Sequence, residues 1–169
     1  MIHPTAEVSE KAEIGEGTNI WNHAQIREDV KIGKNCIIGK NVYIDFGVTI
    51  GDNCKIQNNC SIYHGAILEE AVFLGPNSII LNDSNPRAIN PDGSQKTDDD
   101  WEVEPVIIKK GASIGGHSTI NPGITIGKWA LIGSHSNVLK DVQDYICVVG
   151  NPAKPIGKVN KNAKIIERF

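Results

Sequence analysis

The stretch KIGKNCIIGKNVYIDFGVTIGDNCKIQNNCSI, Lys31–Ile62, carries isoleucine at every sixth position: Ile32, Ile38, Ile44, Ile50, Ile56 and Ile62. Stepping outward by six in both directions, the register runs from Ile2, Val8, Ile14, Ile20 and Ile26 through to Leu68, Leu74 and Ile80. Every one of these fourteen positions is Ile, Val or Leu. After a gap the period resumes at Ile108, Ile114, Ile120, Ile126, Ile132 and Val138. A mostly small residue precedes the aliphatic one by two places, as at Ala6, Thr18, Ala24, Cys36, Cys54, Cys60, Ser78, Ala112, Ser118, Ala130 and Ser136. Glycine often follows it, as at Gly15, Gly33, Gly39, Gly51, Gly75, Gly115, Gly127 and Gly133. A period of six fits neither the α-helical 3.6 nor the heptad. It fits short strands with alternating inward and outward residues, joined by tight turns in which glycine relieves the backbone.

This pattern resembles the hexapeptide-repeat superfamily, [LIV]-G-x4, over nearly the whole chain. The resemblance implies an all-β fold, a left-handed parallel β-helix in which three hexads make one triangular coil. Residues 18 apart then stack vertically, at the inter-strand spacing of about 4.8 Å. Twenty hexads give six to seven coils. The division expected is 1–80 for the N-terminal coils, 81–105 for an extruded loop, 106–140 for the C-terminal coils, and 141–169 for a cap and basic tail. A short tail or helix is expected to cover the open strand edges of the last coil.

The interruption from Leu81 to Pro105 exceeds an ordinary turn, and loops of that length are commonly functional or disordered. It holds seven acids and two bases, so it carries −5 within a chain of net charge −3. Pro86, Pro91, Trp101 and Val103 point to a loop that packs. The net charge excludes the basic footprint of a nucleic-acid binder. The N-terminus lacks the charged and apolar regions of a signal peptide, and no apolar run approaches the roughly 20 residues of a membrane span. The expectation is a soluble cytoplasmic protein binding neither nucleic acid nor membrane. Cys36, Cys54 and Cys60 occupy the small-residue slot and Cys147 lies outside it, so they read as small buried hydrophobes of a reducing compartment. Cys36 and Cys54 are one coil apart, within disulfide reach if oxidised.

Stacking turns sequence distance into proximity. His64 and Asn82 are 18 apart and project from one corner, with Phe46 one coil below. Asp83 and Arg87 follow where the loop leaves, while Gln57, Asn58 and Asn59 lie on the preceding corner. The segments IHPTAEV, IGEGTNIW, QNNCSIYHG, NDSNPRA and VVGNPAK are similar to the sugar N-acetyltransferases of bacterial polysaccharide synthesis. The nearest group is the UDP-2-acetamido-3-amino-2,3-dideoxy-glucuronate N-acetyltransferases. That resemblance implies acetyl-CoA as acyl donor, no metal, a nucleotide-linked 3-amino sugar as acceptor, and a homotrimer with sites between subunits. It places Asn82 at the start of the N-x-x-x-P-R loop, holding the sugar's amine through its side-chain carbonyl.

Attack of an amine on a thioester needs a proton acceptor and a donor for the developing oxyanion. His64 reads either as that base or as a corner histidine without a role. Asn82 reads as functional or as a turn asparagine. Asp83, Arg87, Gln57, Asn58 and Arg27 are the substrate-binding candidates, with Arg27 pairing an acidic sugar or forming a surface salt bridge. Coenzyme A is expected along the C-terminal coils, at Gly116, Ser118 and Ser134, with Lys140, Lys154 and Lys158 meeting its phosphates. His117 and His135, also 18 apart, either crowd that groove or contact the cofactor's amides. Trp21 and Trp101 read as packing residues or as platforms for a base.

Two other readings stand beside this one. The segment IREDV resembles the γ-class carbonic anhydrases, which share the fold and hold zinc with three histidines, although the close histidine pair is missing here. A non-enzymatic scaffold is the second, and the loop and polar corner count against it. A convex β-helix has no cleft of its own, so a pocket needs a neighbour, and a homotrimer is the simplest source.

Overall fold

The computed structural model describes residues 1–169. The chain winds into a parallel β-helix with three flat faces. The first face stacks Glu7–Val8, Gln25–Ile26, Tyr43–Ile44, Ser61–Ile62, Ile79–Ile80, Thr119–Ile120 and Asn137–Val138. The second stacks Glu13–Ile14, Lys31–Ile32, Thr49–Ile50, Ile67–Leu68, Ile107–Ile108 and Thr125–Ile126. The third begins with Asn19–Ile20, Ile37–Ile38, Lys55–Ile56, Phe73–Leu74, Ser113–Ile114 and Leu131–Ile132. Faces of seven and six strands agree with the six to seven coils expected. Register is 18 throughout the first part, as in Val8↔Ile26, Ile44↔Ile62 and Ile38↔Ile56. It jumps to 40 at Leu68↔Ile108 and Ile80↔Ile120, then returns to 18.

The aliphatic position fills the prism. Ile38, Ile44, Ile56, Ile62, Leu74, Ile80, Ile108, Ile114 and Ile120 are wholly buried, each contributing about 1.5–3 kcal/mol of apolar burial. The small-residue slot is buried beside it, and its hydroxyls bond to the next coil: Ser78 Oγ donates to Gly115 O at 3.0 Å and Thr18 Oγ1 to Gly33 O at 2.7 Å. No buried side-chain nitrogen or oxygen lacks a partner.

The glycine after the aliphatic residue serves a different purpose from the one its position suggests. Gly115 is not in the left-handed region. A Cβ there would lie 2.5 Å from Ser134 N and 2.8 Å from Ile132 O, so it is close approach between coils that demands glycine. The left-handed residue comes two places later and is filled largely by other residues. His23, Asn41, Asn59, Asn77, His117 and His135 form one such column, with φ between 55° and 60°. Asparagine and histidine are enriched in that conformation, which accounts for the two stacked histidines without a ligand. Their rings lie 4.8 Å apart and 2° from parallel, and His117 Nε2 meets Asn77 Nδ2 at 3.1 Å.

The cap consists of strands, not a helix. Ile146–Val149 extends the third face, with Cys147 pairing Leu131 in parallel, and Lys154–Val159 and Ile165–Arg168 add two antiparallel strands. The inserted loop is ordered as well. Asn90 N donates to Ser94 O at 2.8 Å, a single 3-10 turn spans Asp98–Asp100, and Val103 lies over Gly65. Glu104 N donates to Asn82 O at 3.0 Å, which pins the two ends of the loop together. No helix is long and apolar enough to cross a membrane.

All four cysteines are free and buried, with Cys36, Cys54 and Cys60 wholly closed to solvent. At pH 8 a thiol-reactive disulfide reagent should therefore leave the folded protein unlabelled and release four equivalents after denaturation. Prompt labelling of the native protein would contradict the packing. Gly115→Ala should lower stability in chemical denaturation by about 1–3 kcal/mol, because the coils must separate to admit the methyl group.

Candidate active site

Where each coil turns from the first face to the second, residues one coil apart stand in columns. One column runs Glu28, Phe46, His64 and Asn82. Phe46 and His64 stack with ring centroids 3.9 Å apart and planes at 14°. His64 Nδ1 meets Phe46 O at 2.8 Å. A carbonyl only accepts, so Nδ1 holds the hydrogen of the neutral ring and Nε2 keeps its lone pair. Asn82 Nδ2 donates to His64 O at 3.1 Å, which leaves Oδ1 of the amide as an acceptor.

The adjoining column begins Arg27 and Asp45. Asp45 stands directly after the aliphatic Ile44, and it is buried. Its Oδ1 accepts from Tyr43 OH at 2.8 Å, Phe46 N at 2.9 Å and Arg27 Nη1 at 3.2 Å, and its Oδ2 from His64 N at 3.2 Å. Burial pushes the Tyr43 phenol up, so it remains a donor. Arg27 also donates Nε to Glu28 Oε2 at 3.1 Å and Nη2 to Oε1 at 2.5 Å, and its Cζ lies 5.4 Å from the Phe46 ring centre. Glu28 is held below the usual carboxylate range by its backbone N–H and then by Arg27.

With Asp98, Trp101 and Val103 of the loop, these side chains surround a cleft of about 540 Å³. Arg27, His64 and Asn82 are thus brought together. Asp45, Glu28 and Tyr43 complete the arrangement. The signal for Asp45 is its 18-residue spacing from Arg27.

Other sequence-derived candidates lie elsewhere. Gln57 and Asn58 line a depression with Trp21 and Lys40 on the preceding corner, away from the cleft, and Trp21 is exposed rather than packed. Asp83 turns into the loop, where its Oδ1 accepts from Asn85 N at 2.7 Å, and it borders a separate hollow with Lys96. Arg87 is exposed and donates to the adjacent Pro86 O at 2.9 Å. Ser118 cannot line a cofactor groove with its side chain. It is wholly buried in the small-residue slot and donates to Gly133 O at 3.1 Å. Gly116 and Ser134 flank the His117–His135 column on the surface. Lys140 and Lys158 border an apolar groove with Val142, Ile146 and Phe169 at the C-terminal end, and Lys154 is exposed nearby. Lys158 is ion-paired with Glu167 at 2.7 Å. The three histidines of the zinc alternative do not converge, His64 standing on a different corner from His117 and His135, and no group of three His, Cys, Asp or Glu side chains could hold a metal.

Comparison with known proteins accords with this architecture. The bacterial transferase hexapeptide family (six repeats) matches residues 1–45 and 47–82, and the hexapeptide repeat of succinyl-transferase matches 29–64 and 105–134. A dTDP-3-amino-3,6-dideoxy-alpha-D-galactopyranose 3-N-acetyltransferase of Aneurinibacillus thermoaerophilus is 49% identical over 53 residues, 31% of this chain and 28% of that one. A chloramphenicol acetyltransferase of Agrobacterium fabrum is 53% identical over 45 residues, 27% of this chain and 22% of that one. The matched region thus spans under a third of the length of these relatives. Among solved structures, a hexapeptide-repeat acetyltransferase from Vibrio cholerae complexed with acetyl-coenzyme A superposes with TM-score 0.58 at 25% identity, over 73% of this chain and 70% of that one. PerB from Caulobacter crescentus, in complex with CoA and GDP-perosamine, superposes with TM-score 0.54 at 23% identity, over 92% and 56%. Two hexapeptide families cover residues 1–82 and 105–134 between them, on a three-faced parallel coil, and the chain belongs to the hexapeptide-repeat transferases, the left-handed parallel β-helix proteins.

Proposed function

We propose that this protein is an acetyl-CoA-dependent N-acetyltransferase that modifies the amino group of a nucleotide-linked 3-amino sugar, in the cytoplasmic synthesis of a surface polysaccharide. The observation that carries the reading is the pairing of two unspent acceptors in one cleft. Asn82 Oδ1 is left free because Nδ2 is bound to His64 O, and His64 Nε2 is left free because Nδ1 faces Phe46 O. An acceptor pair of this kind suits an amine, which brings hydrogens to both. The 3-amino-sugar and CoA-dependent activities of similar proteins support it.

In this reading Asn82 Oδ1 takes one N–H of the acceptor amine and orients its lone pair. His64 Nε2 accepts the proton released as the new C–N bond forms, and the imidazolium is steadied by the Phe46 carbonyl at Nδ1. Acetyl-CoA supplies the activated acyl carbonyl, and its thiol leaves with the proton that His64 returns. The products are the amide and free CoA, so atoms and charge balance. Gly116, Ser134, Lys140, Lys154 and Lys158 would hold the cofactor. The three exposed lysines at the C-terminal end have the chemistry to meet its phosphates, although Lys158 must first release Glu167.

The cleft opens on a convex corner, and a homotrimer in which a neighbour covers it would enclose the acceptor. Light scattering on the purified protein should give three times the 18.3 kDa chain mass. An active monomer would contradict the composite site. In a thiol-release assay with acetyl-CoA and a panel of UDP- and dTDP-linked amino sugars, at least one sugar should be acetylated. Asn82→Ala and His64→Ala should each lower kcat/KM by about 100-fold or more. Full activity in both variants would remove these residues from the mechanism.

A further inference from the structure

The cleft has a charge pattern that the proposed reaction does not by itself require. Four charged side chains line it, and three are carboxylates: Glu28, Asp45 and Asp98. The single cation, Arg27, is spent on two of them. Glu28 takes Nε and Nη2 as a two-point pair, and Asp45 takes Nη1. The guanidinium also lies against the Phe46 ring, which covers part of one face. Planar, bidentate pairing is what guanidinium uses to recognise a carboxylate, and in this protein an internal carboxylate already occupies that position. A second carboxylate brought in by a ligand would face Arg27 across Glu28 and would be repelled by Asp45 and Asp98 as well. An ammonium group would meet the opposite field.

We propose that this cleft selects an acceptor sugar bearing no carboxylate, with Glu28 as the specificity-determining residue because it holds Arg27 away from an incoming acid group. The inference rests on the amino-sugar acetyltransferase reading and narrows it. The acceptor class becomes nucleotide-linked amino-deoxyhexoses, cationic at the amine and uncharged around the rest of the ring, in place of amino-uronates. Electrostatics of this kind act most strongly on acceptor capture. Acceptors in the ammonium form are drawn in, the first proton passes to solvent, and the neutral amine then meets Asn82 and His64, with His64 free to take the second proton as the bond forms.

The test uses two acceptors with the same nucleotide and the same 3-amino ring, one with a methyl group at C6 and one with a carboxylate. The intact protein should prefer the methyl sugar in kcat/KM by about tenfold or more, as expected for one uncompensated like charge at close range. Raising ionic strength from about 0.05 to about 0.5 M, which shortens the screening length about threefold, should shrink that preference. Glu28→Gln releases the guanidinium and should move the ratio toward the uronate by about tenfold, with the change mostly in KM for the acceptor. Glu28 is partly exposed, so this variant should fold. An unmodified protein that prefers the uronate, or a Glu28→Gln variant with an unchanged ratio, overturns the assignment while leaving the acetyltransferase intact. If the protein acetylates neither of these sugars and no other nucleotide-linked amine, the acetyltransferase reading on which the inference stands is overturned.

Discussion

Everything in this molecule depends on the hydrogen-bond ladder between successive coils. Lys31 N reaches Val48 O at 2.9 Å and Gly33 N reaches Ile50 O at 2.8 Å, and the same offset repeats from coil to coil. A parallel ladder tolerates no slip, because a shift of one residue would turn Ile32, Ile50 and Leu68 outward together. The ladder also dictates how near the coils come, and thereby where a Cβ cannot exist. The glycines after the aliphatic residues belong to the ladder rather than to the turns. At the third corner no coil carries glycine after the aliphatic residue, and there Asp45 brings a carboxylate to the base of the cleft with four donors around it.

From that constraint the cleft follows. Columns at the corner fix Phe46 beneath His64 and His64 beneath Asn82 with no loop having to hold them. The chemistry is therefore carried by the rigid part of the structure, and the loop contributes the wall: Asp98, Trp101 and Val103. The stacked pair of aromatic rings and the amide-to-carbonyl bond orient two acceptors in a way that separate surface side chains would not.

Period and spacing in the sequence mark the short strands and the core: Ile, Val or Leu at every sixth place with small residues two places before. The three-hexad coil and its hand come from the resemblance to the hexapeptide-repeat superfamily, and the 18-residue stacking that follows from it puts Asn82 beside His64, where the amide meets the His64 carbonyl. The same rule puts Gln57 and Asn58 on another corner, where they stand, and Ser118 in the small-residue slot, whose burial keeps its hydroxyl out of any cofactor groove. Asp83 and Arg87 were less legible, since a loop follows no period and side chains there point where local turns send them. A C-terminal cap is legible in the sequence but its strands are not, for a related reason: Ile146–Val149 continues the third face after the hexad rhythm has lapsed, and a strand that joins an existing edge needs no periodic signal of its own. The grip of Glu28 on Arg27 could not be read from a sequence in which adjacent opposite charges are commonplace.

The two ends of the inserted loop meet at Asn82 and Glu104, and the register of the coils above and below resumes as though nothing had intervened. Seen as a matter of heredity, this separates two rates of change. Substitutions in the coils answer to a strict periodic code and are heavily constrained. The segment between those two anchor points answers to a closure condition and to the wall it builds with Asp98, Trp101 and Val103, so its other positions can change as a unit without disturbing the coils. A lineage can therefore acquire a new wall for its cleft in one event, without renegotiating the scaffold on which the reacting groups stand.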